Sequence, residues 1–152
     1  MDAYEETARY NIAETCASSI TIDELCDFAG VDARTIFSSS KRLTYGAIRG
    51  SAVLRTNIAA YYNSSLPKHI APENVILTNG AIGANFAILY SLIGKGDHII
   101  CQHPTYQQLY SVPKSVGANV ELWRTTPENN WELNVDELEG MIKPETKMII
   151  LK

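Results

Sequence analysis

The 152-residue sequence predicts an α/β chain: a mostly parallel sheet with helices on both faces, preceded by an N-terminal stretch of different texture. Three observations carry that expectation. From Val75 onward, short apolar runs of strand character alternate with helical patterns, as βαβ units require. The pattern over 81–93 is apolar nearly all round (Ile82, Ala84, Phe86, Ala87, Ile88, Leu89, Leu92, Ile93), which suits a helix enclosed in a larger body. The last run, "KMIILK", has the apolar character of a central parallel strand, which needs further chain to cover it. The sequence therefore reads as a piece of something larger.

Each element can be justified in turn. Residues 1–16 carry a partial helical pattern interrupted by Asn11. "SSITIDELCDFAG" offers Thr21 or Asp23 as an N-cap and Gly30 as a stop, and "SSSK" at 38–41 reads as loop. A helix is expected over roughly 50–62, where Val53, Leu54, Ile58 and Tyr61 or Tyr62 fall near helical spacing. Pro67 and Pro72 punctuate the loop that follows. Next come a strand at 75–78, a helix at 81–93, a "GKGD" turn and a strand at 98–101. "HPTYQQLYSVPKSVGA" predicts a short helix that Thr105 can cap and that breaks near Pro113. A strand at 120–123, a helix at 135–142 capped by Asn134 and a strand at 148–151 complete the series.

Composition narrows the function classes. Hydrophobic residues at 45% and charged residues at 20% describe an ordinary globular chain. A net charge of −4 without any Lys/Arg run gives no reason to expect a nucleic-acid partner. No basic-then-apolar leader is present and the longest apolar stretch is too short to span a bilayer, so a cytoplasmic chain without membrane contact is expected. Cys16, Cys26 and Cys101 form no CxxC pair and read as free thiols. His98 and His103 flank Cys101, but zinc would need a further ligand that is not nearby, so no metal is expected.

Two segments carry chemistry. In "VILTNGAIGANFAIL" a strand-like run passes through a small-residue hinge at 79–83 straight into a helix. Helix N-termini attract anions because their first N–H groups lack intrahelical partners and the macrodipole is positive there. "GAIGAN" lacks the third glycine of a dinucleotide fingerprint, "IGKGD" lacks the Walker hydroxyl, and Ser38–Lys41 lacks the partners of a penicillin-binding nucleophile. The second segment, "HPTYQQLY", places Tyr106 just past the carboxyl end of a parallel strand, where ligands of open α/β sheets bind. Anion-binding amides beside a flat aromatic face suit a planar ring that carries a phosphate.

The order of the pieces "LTYGAIRGSAVLRTNIAAYY…ILTNGAIGANFAILYSLIGKGDHIICQHPTYQQLY…NWELNVDELEGMIKPETKMIILK" resembles the class I/II aminotransferases, pyridoxal-phosphate enzymes of fold type I, over residues 44–152. "ARYNIAETCASSITIDEL" resembles the N-terminal segment of the branch containing capreomycidine synthase. The resemblance implies that residues 1–43 are an N-terminal arm of the small domain and that 44–152 are the first half of the cofactor-binding large domain. It implies pyridoxal phosphate as cofactor, with Gly80, Ala81 and Ile82 holding its phosphate and Tyr106 stacking on its ring. Tyr45 matches the tyrosine that reaches a partner subunit's phosphate, which implies a homodimer; Ala13 and Glu14 would lie near an amino-acid substrate.

The resemblance also marks what these residues lack. In the family "MIILK" leads into an Asn-Pro-x-Asn-Pro-Thr-Gly loop, and the lysine joined to the cofactor lies further on, as do the aspartate on its ring nitrogen and the arginine for the substrate carboxylate. No catalytic residue is mapped here. The expected protein is the N-terminal portion of an aminotransferase-like enzyme, inactive as this piece, or alternatively a non-catalytic subunit that pairs with a full-length one.

Overall fold

In the computed structural model, residues 7–11, 17–35, 42 and 44–152 are described. The chain divides into two compact units, Met1–Tyr45 and Gly46–Lys152.

In the first unit, α1 runs over Ile22–Ala29 between the caps the sequence offered. The Thr21 hydroxyl accepts from Glu24 N–H at 3.1 Å, and the Glu24 carboxylate accepts from Thr21 N–H at 2.7 Å, a reciprocal capping box. Asp23 sits in the first turn instead of at the cap. Gly30 ends the helix in the left-handed region, at φ 64°, where a side chain would be strained. Most of 1–16 and all of 38–41 lie outside the described residues.

The second unit holds the sheet. Its helices are α2 (Ala52–Asn63), α3 (Gly80–Leu92), α4 (Gln108–Ser115) and α5 (Val135–Met141); its strands are β1 (His98–His103), β2 (Asn119–Arg124) and β3 (Thr146–Ile150). The three strands are parallel in the order β2-β1-β3, so the α5 connection crosses β1 to reach the far edge. Asn134 caps α5 through its side-chain oxygen, which accepts from Asp136 and Glu137 N–H. In the "GKGD" turn the Asp97 carboxylate accepts from Gly94 N–H at 2.8 Å.

β1 is covered on both sides. Ile99, Ile100 and Cys101 are fully buried, and adjacent strand residues face opposite ways. Ile99 packs with Leu89 and Ile93 of the α3 end, with Val112 and Val116 around α4, and with Val120, Met148 and Ile150 of the flanking strands. Ile100 packs on the other face with Trp123, Met141 and Leu138. Each buried isoleucine contributes about 1.5–3 kcal/mol relative to exposure. α3 buries Leu89 but leaves Ile82, Phe86, Ile88, Tyr90 and Leu92 about half exposed, so within this unit only one face of the apolar helix is covered.

Two expectations are corrected. Residues 75–78 form no strand: Val75 is extended, but the segment joins no ladder, and Leu77 N–H instead donates to the Arg49 carbonyl at 3.2 Å. A strand needs a neighbour to pair with, and local β character alone does not supply one. α4 also continues through Pro113 to Ser115. Proline removes one helix N–H and crowds the carbonyl four residues back, yet the last turn is kept with the Pro113 ring fully buried.

At the amino end of the strands, the buried His98 is held by polar partners. Its Nδ1 lies 2.8 Å from the Thr146 hydroxyl and its Nε2 lies 3.0 Å from Glu121 Oε2. The Lys143 ammonium donates to the same carboxylate oxygen at 2.7 Å. That hydrogen bond from Lys143 is the main reason the Glu121 carboxyl titrates below its ordinary range, with His98 adding to it. A carboxyl depressed in the folded state stabilises the fold above its unfolded value of about 4.3, and that stability disappears as pH falls through the folded value. Lys143→Ala is expected to move the midpoint of acid unfolding to higher pH, followed by circular dichroism against pH. Ile100→Ala is expected to cost about 2–5 kcal/mol in denaturant unfolding, because it opens a cavity against Trp123 and Met141.

Candidate functional site

The hinge at 79–83 opens α3 on a backbone that only glycine adopts without strain. Gly80 has φ 73°, and open space surrounds the position of a Cβ there. Asn79 precedes it as N-cap, yet its side chain makes no capping bond, and no acidic residue lies in the first turn. The Thr78 hydroxyl donates to the Gly80 carbonyl at 3.0 Å and so does not occupy the N–H groups either. The first N–H groups of a thirteen-residue helix thus stay open to an anion, with Gly80, Ala81 and Ile82 all exposed.

Tyr106 lies three residues beyond the carboxyl end of β1, with its side chain 44% exposed. Its carbonyl accepts from Leu109 N–H at 3.1 Å, and the Gln107 carbonyl accepts from Tyr110 and Ser111 N–H. These bonds tie the loop to the start of α4. Thr105 does not cap the helix: α4 begins only at Gln108, with Gln107 at the N-cap position. Its hydroxyl is the one buried side-chain polar atom without a partner among the described residues. The Lys152 ammonium stands 5.6 Å from the Tyr106 ring centroid, and Lys152 N–H donates to Gln102 Oε1 at 3.1 Å.

Gln108 joins the two segments. Its amide nitrogen donates to the Ile82 carbonyl at 2.9 Å, and its oxygen accepts from the Asn85 amide at 3.4 Å. Further along the same pair of helices, Val112 and Val116 pack on the cluster that holds Leu89 and Ile93. Contacts run in the same order along both helices, so the two N-termini lie at one end. The structure thus brings the Gly80–Ala81–Ile82 turn and the Tyr106 loop together.

Tyr45 closes the first unit with its side chain 99% exposed. Ala13 and Glu14 lie outside the described residues. Conversely, sequence reading passed over Gln108, Thr105 as an orphaned hydroxyl, and Lys152. A glutamine in a helix's first turn carries no signal of its own; only the neighbouring helix makes its amide informative. Cys101 is buried and makes no contribution here; burial pushes its thiol up, away from a reactive thiolate.

The family model described as Aminotransferase class I and II matches residues 21–152. Among solved structures, the chain is similar to a PLP-dependent aminotransferase from Streptococcus suis 89-1591, with 41% identity and a TM-score of 0.87 over 97% of this chain and 39% of that one. An aspartate aminotransferase from Thermotoga maritima is 28% identical over 115 residues, 76% of this chain and 30% of that protein. A tyrosine aminotransferase from Bos taurus is 30% identical over 97 residues, 64% of this chain and 22% of that protein. The chain thus spans well under half the length of these relatives.

The cofactor this family implies is pyridoxal phosphate. The residues present fit it: a helix N-terminus with no side-chain cap and no acid in its first turn, and an accessible aromatic ring on the loop that Gln108 ties to that turn. From the matched span and the α/β fold together, the chain belongs to the class I and II aminotransferase family.

Proposed function

We propose that these residues are the N-terminal part of a pyridoxal-phosphate-dependent aminotransferase-like enzyme that acts on an amino acid, by transamination or a related cyclisation. The observation that supports this reading is the open N-terminus of α3, tied by the Gln108–Ile82 bond to the segment that carries Tyr106. In it, the N–H groups of Gly80, Ala81 and Ile82 hold the cofactor phosphate and Tyr106 stacks on its ring. Pyridoxal phosphate, when bound, supplies a conjugated ring that draws electron density from the substrate's α-carbon. The chain's own residues bind and orient it; none is assigned a proton-transfer role.

The remaining assignments belong to the same reading. The family resemblance puts the lysine joined to the cofactor beyond the matched residues, and the chain spans well under half of its relatives' length, so these residues alone are read as inactive. The apolar side chains that α3 leaves half exposed support a cover supplied by further protein. Residues 1–43 act as an arm of the small domain and 44–152 as the first half of the large domain. Tyr45, exposed at the end of the first unit, reaches a second subunit's phosphate, and Ala13 and Glu14 face the substrate. A non-catalytic subunit that pairs with a full-length one is the alternative, and the cytoplasm is the setting of either.

Two outcomes test the reading. Titration with pyridoxal phosphate, followed by absorbance, is expected to show reversible binding that Tyr106→Ala weakens about two- to tenfold, as befits a lost stack of ~0.5–1.5 kcal/mol. Binding unchanged by that substitution removes Tyr106 from the site. Borohydride reduction of the purified chain with the cofactor is expected to trap no stoichiometric adduct on a single lysine, read by peptide mass spectrometry. A unique lysine adduct with turnover of an amino acid overturns the inactive-piece reading.

A further inference from the structure

We infer that Gln108 is a positioning residue that fixes the Tyr106 ring relative to the anion-binding turn of α3. The inference rests on the cofactor reading above and adds to it a residue that touches neither phosphate nor ring.

Tyr106 is tied to α4 by its own carbonyl, which accepts from Leu109 N–H at 3.1 Å. Wherever the first turn of α4 stands, the ring's backbone follows. The apolar contacts between the helices lie further along, where Val112 and Val116 meet the Leu89 and Ile93 cluster. Apolar packing is non-directional and leaves small slides and rotations inexpensive at the other end. At that other end the Gln108 amide bonds α3 at two points one turn apart, the Ile82 carbonyl at 2.9 Å and the Asn85 amide at 3.4 Å.

An amide offers donor and acceptor in a fixed plane, so two partners on one helix set both distance and rotation. Ile82 belongs to the very turn whose N–H groups face the anion. Gln108 therefore measures the interval between two parts of one ligand, phosphate and ring. A ligand that is only an anion has no use for that interval. This difference separates positioning from mere support of the fold.

The test compares two probes on the same protein, pyridoxal phosphate and inorganic phosphate, by isothermal titration at fixed salt. Gln108→Leu keeps the bulk and removes both bonds. It is expected to weaken pyridoxal phosphate about five- to tenfold, as loss of a hydrogen bond worth ~1–1.5 kcal/mol implies. Phosphate affinity should change less than about twofold, and the melting temperature by only a few degrees. Asn85→Ala, which removes the longer bond, should give a smaller loss in the same direction.

Equal losses for both probes, or no loss for pyridoxal phosphate, overturn the inference. If the leucine variant does not fold, Gln108→Met carries the same comparison, since it keeps the side chain's length and neutrality and loses both bonds. A wild-type protein that binds phosphate but not pyridoxal phosphate overturns the cofactor reading and the inference with it. A wild-type protein and a Gln108→Leu variant that bind pyridoxal phosphate equally well overturn the inference alone.

Discussion

The second unit depends on the burial of β1 from both sides. Ile99 and Ile100 are neighbours in sequence and lie on opposite faces of the sheet, each fully buried. A strand in that position must have a neighbour on each edge and a cover on each face. β2 and β3 supply the edges, with Ile99 opposite Val120 and Met148. The α3–α4 pair covers one face and α5 the other. With every apolar position of the central strand engaged, neither its register nor its direction can slip by one residue without turning the whole set over.

That constraint also separates the two ends of the sheet. At the amino ends, buried His98 requires polar partners, and Thr146, Glu121 and Lys143 provide a closed network. Nothing there is left open. At the carboxyl end of β1 the opposite holds: helix N–H groups are uncapped, a tyrosine ring is accessible and a buried hydroxyl lacks a partner. Unsatisfied groups are costly to a fold when buried, and they collect where a ligand can satisfy them. The two ends of one strand thus differ: polar side chains are paired at one, and a buried hydroxyl is left without a protein partner at the other.

Packing and polar contacts divide the labour between α3 and α4. Val112 and Val116 give the pair its adhesion on Leu89 and Ile93, while Gln108 gives it register. The apolar seam is the larger energy and the amide the more directional one. Their separation along the helices lets the site be specified without disturbing the core beneath it.

Much of the local structure was legible from side chains near it in the sequence. The Thr21 capping box, the Gly30 stop, the Asn134 cap and the alternation that gives β1, α4, β2, α5 and β3 all follow from side chains that act on backbone within a few residues. The hinge at Gly80 and the ring of Tyr106 were legible for the same reason: each is defined by its own residue and the element beside it. The remaining features depend on contacts between residues far apart in the sequence. Residues 75–78 have strand character but no ladder, because pairing depends on a distant neighbour. Pro113 stays within α4 with its ring fully buried, a burial that no local rule records. Gln108 gains its meaning from Ile82 and Asn85, 26 and 23 residues away. Hydrogen bonds across such separations exist only once the sheet has fixed where each helix lies.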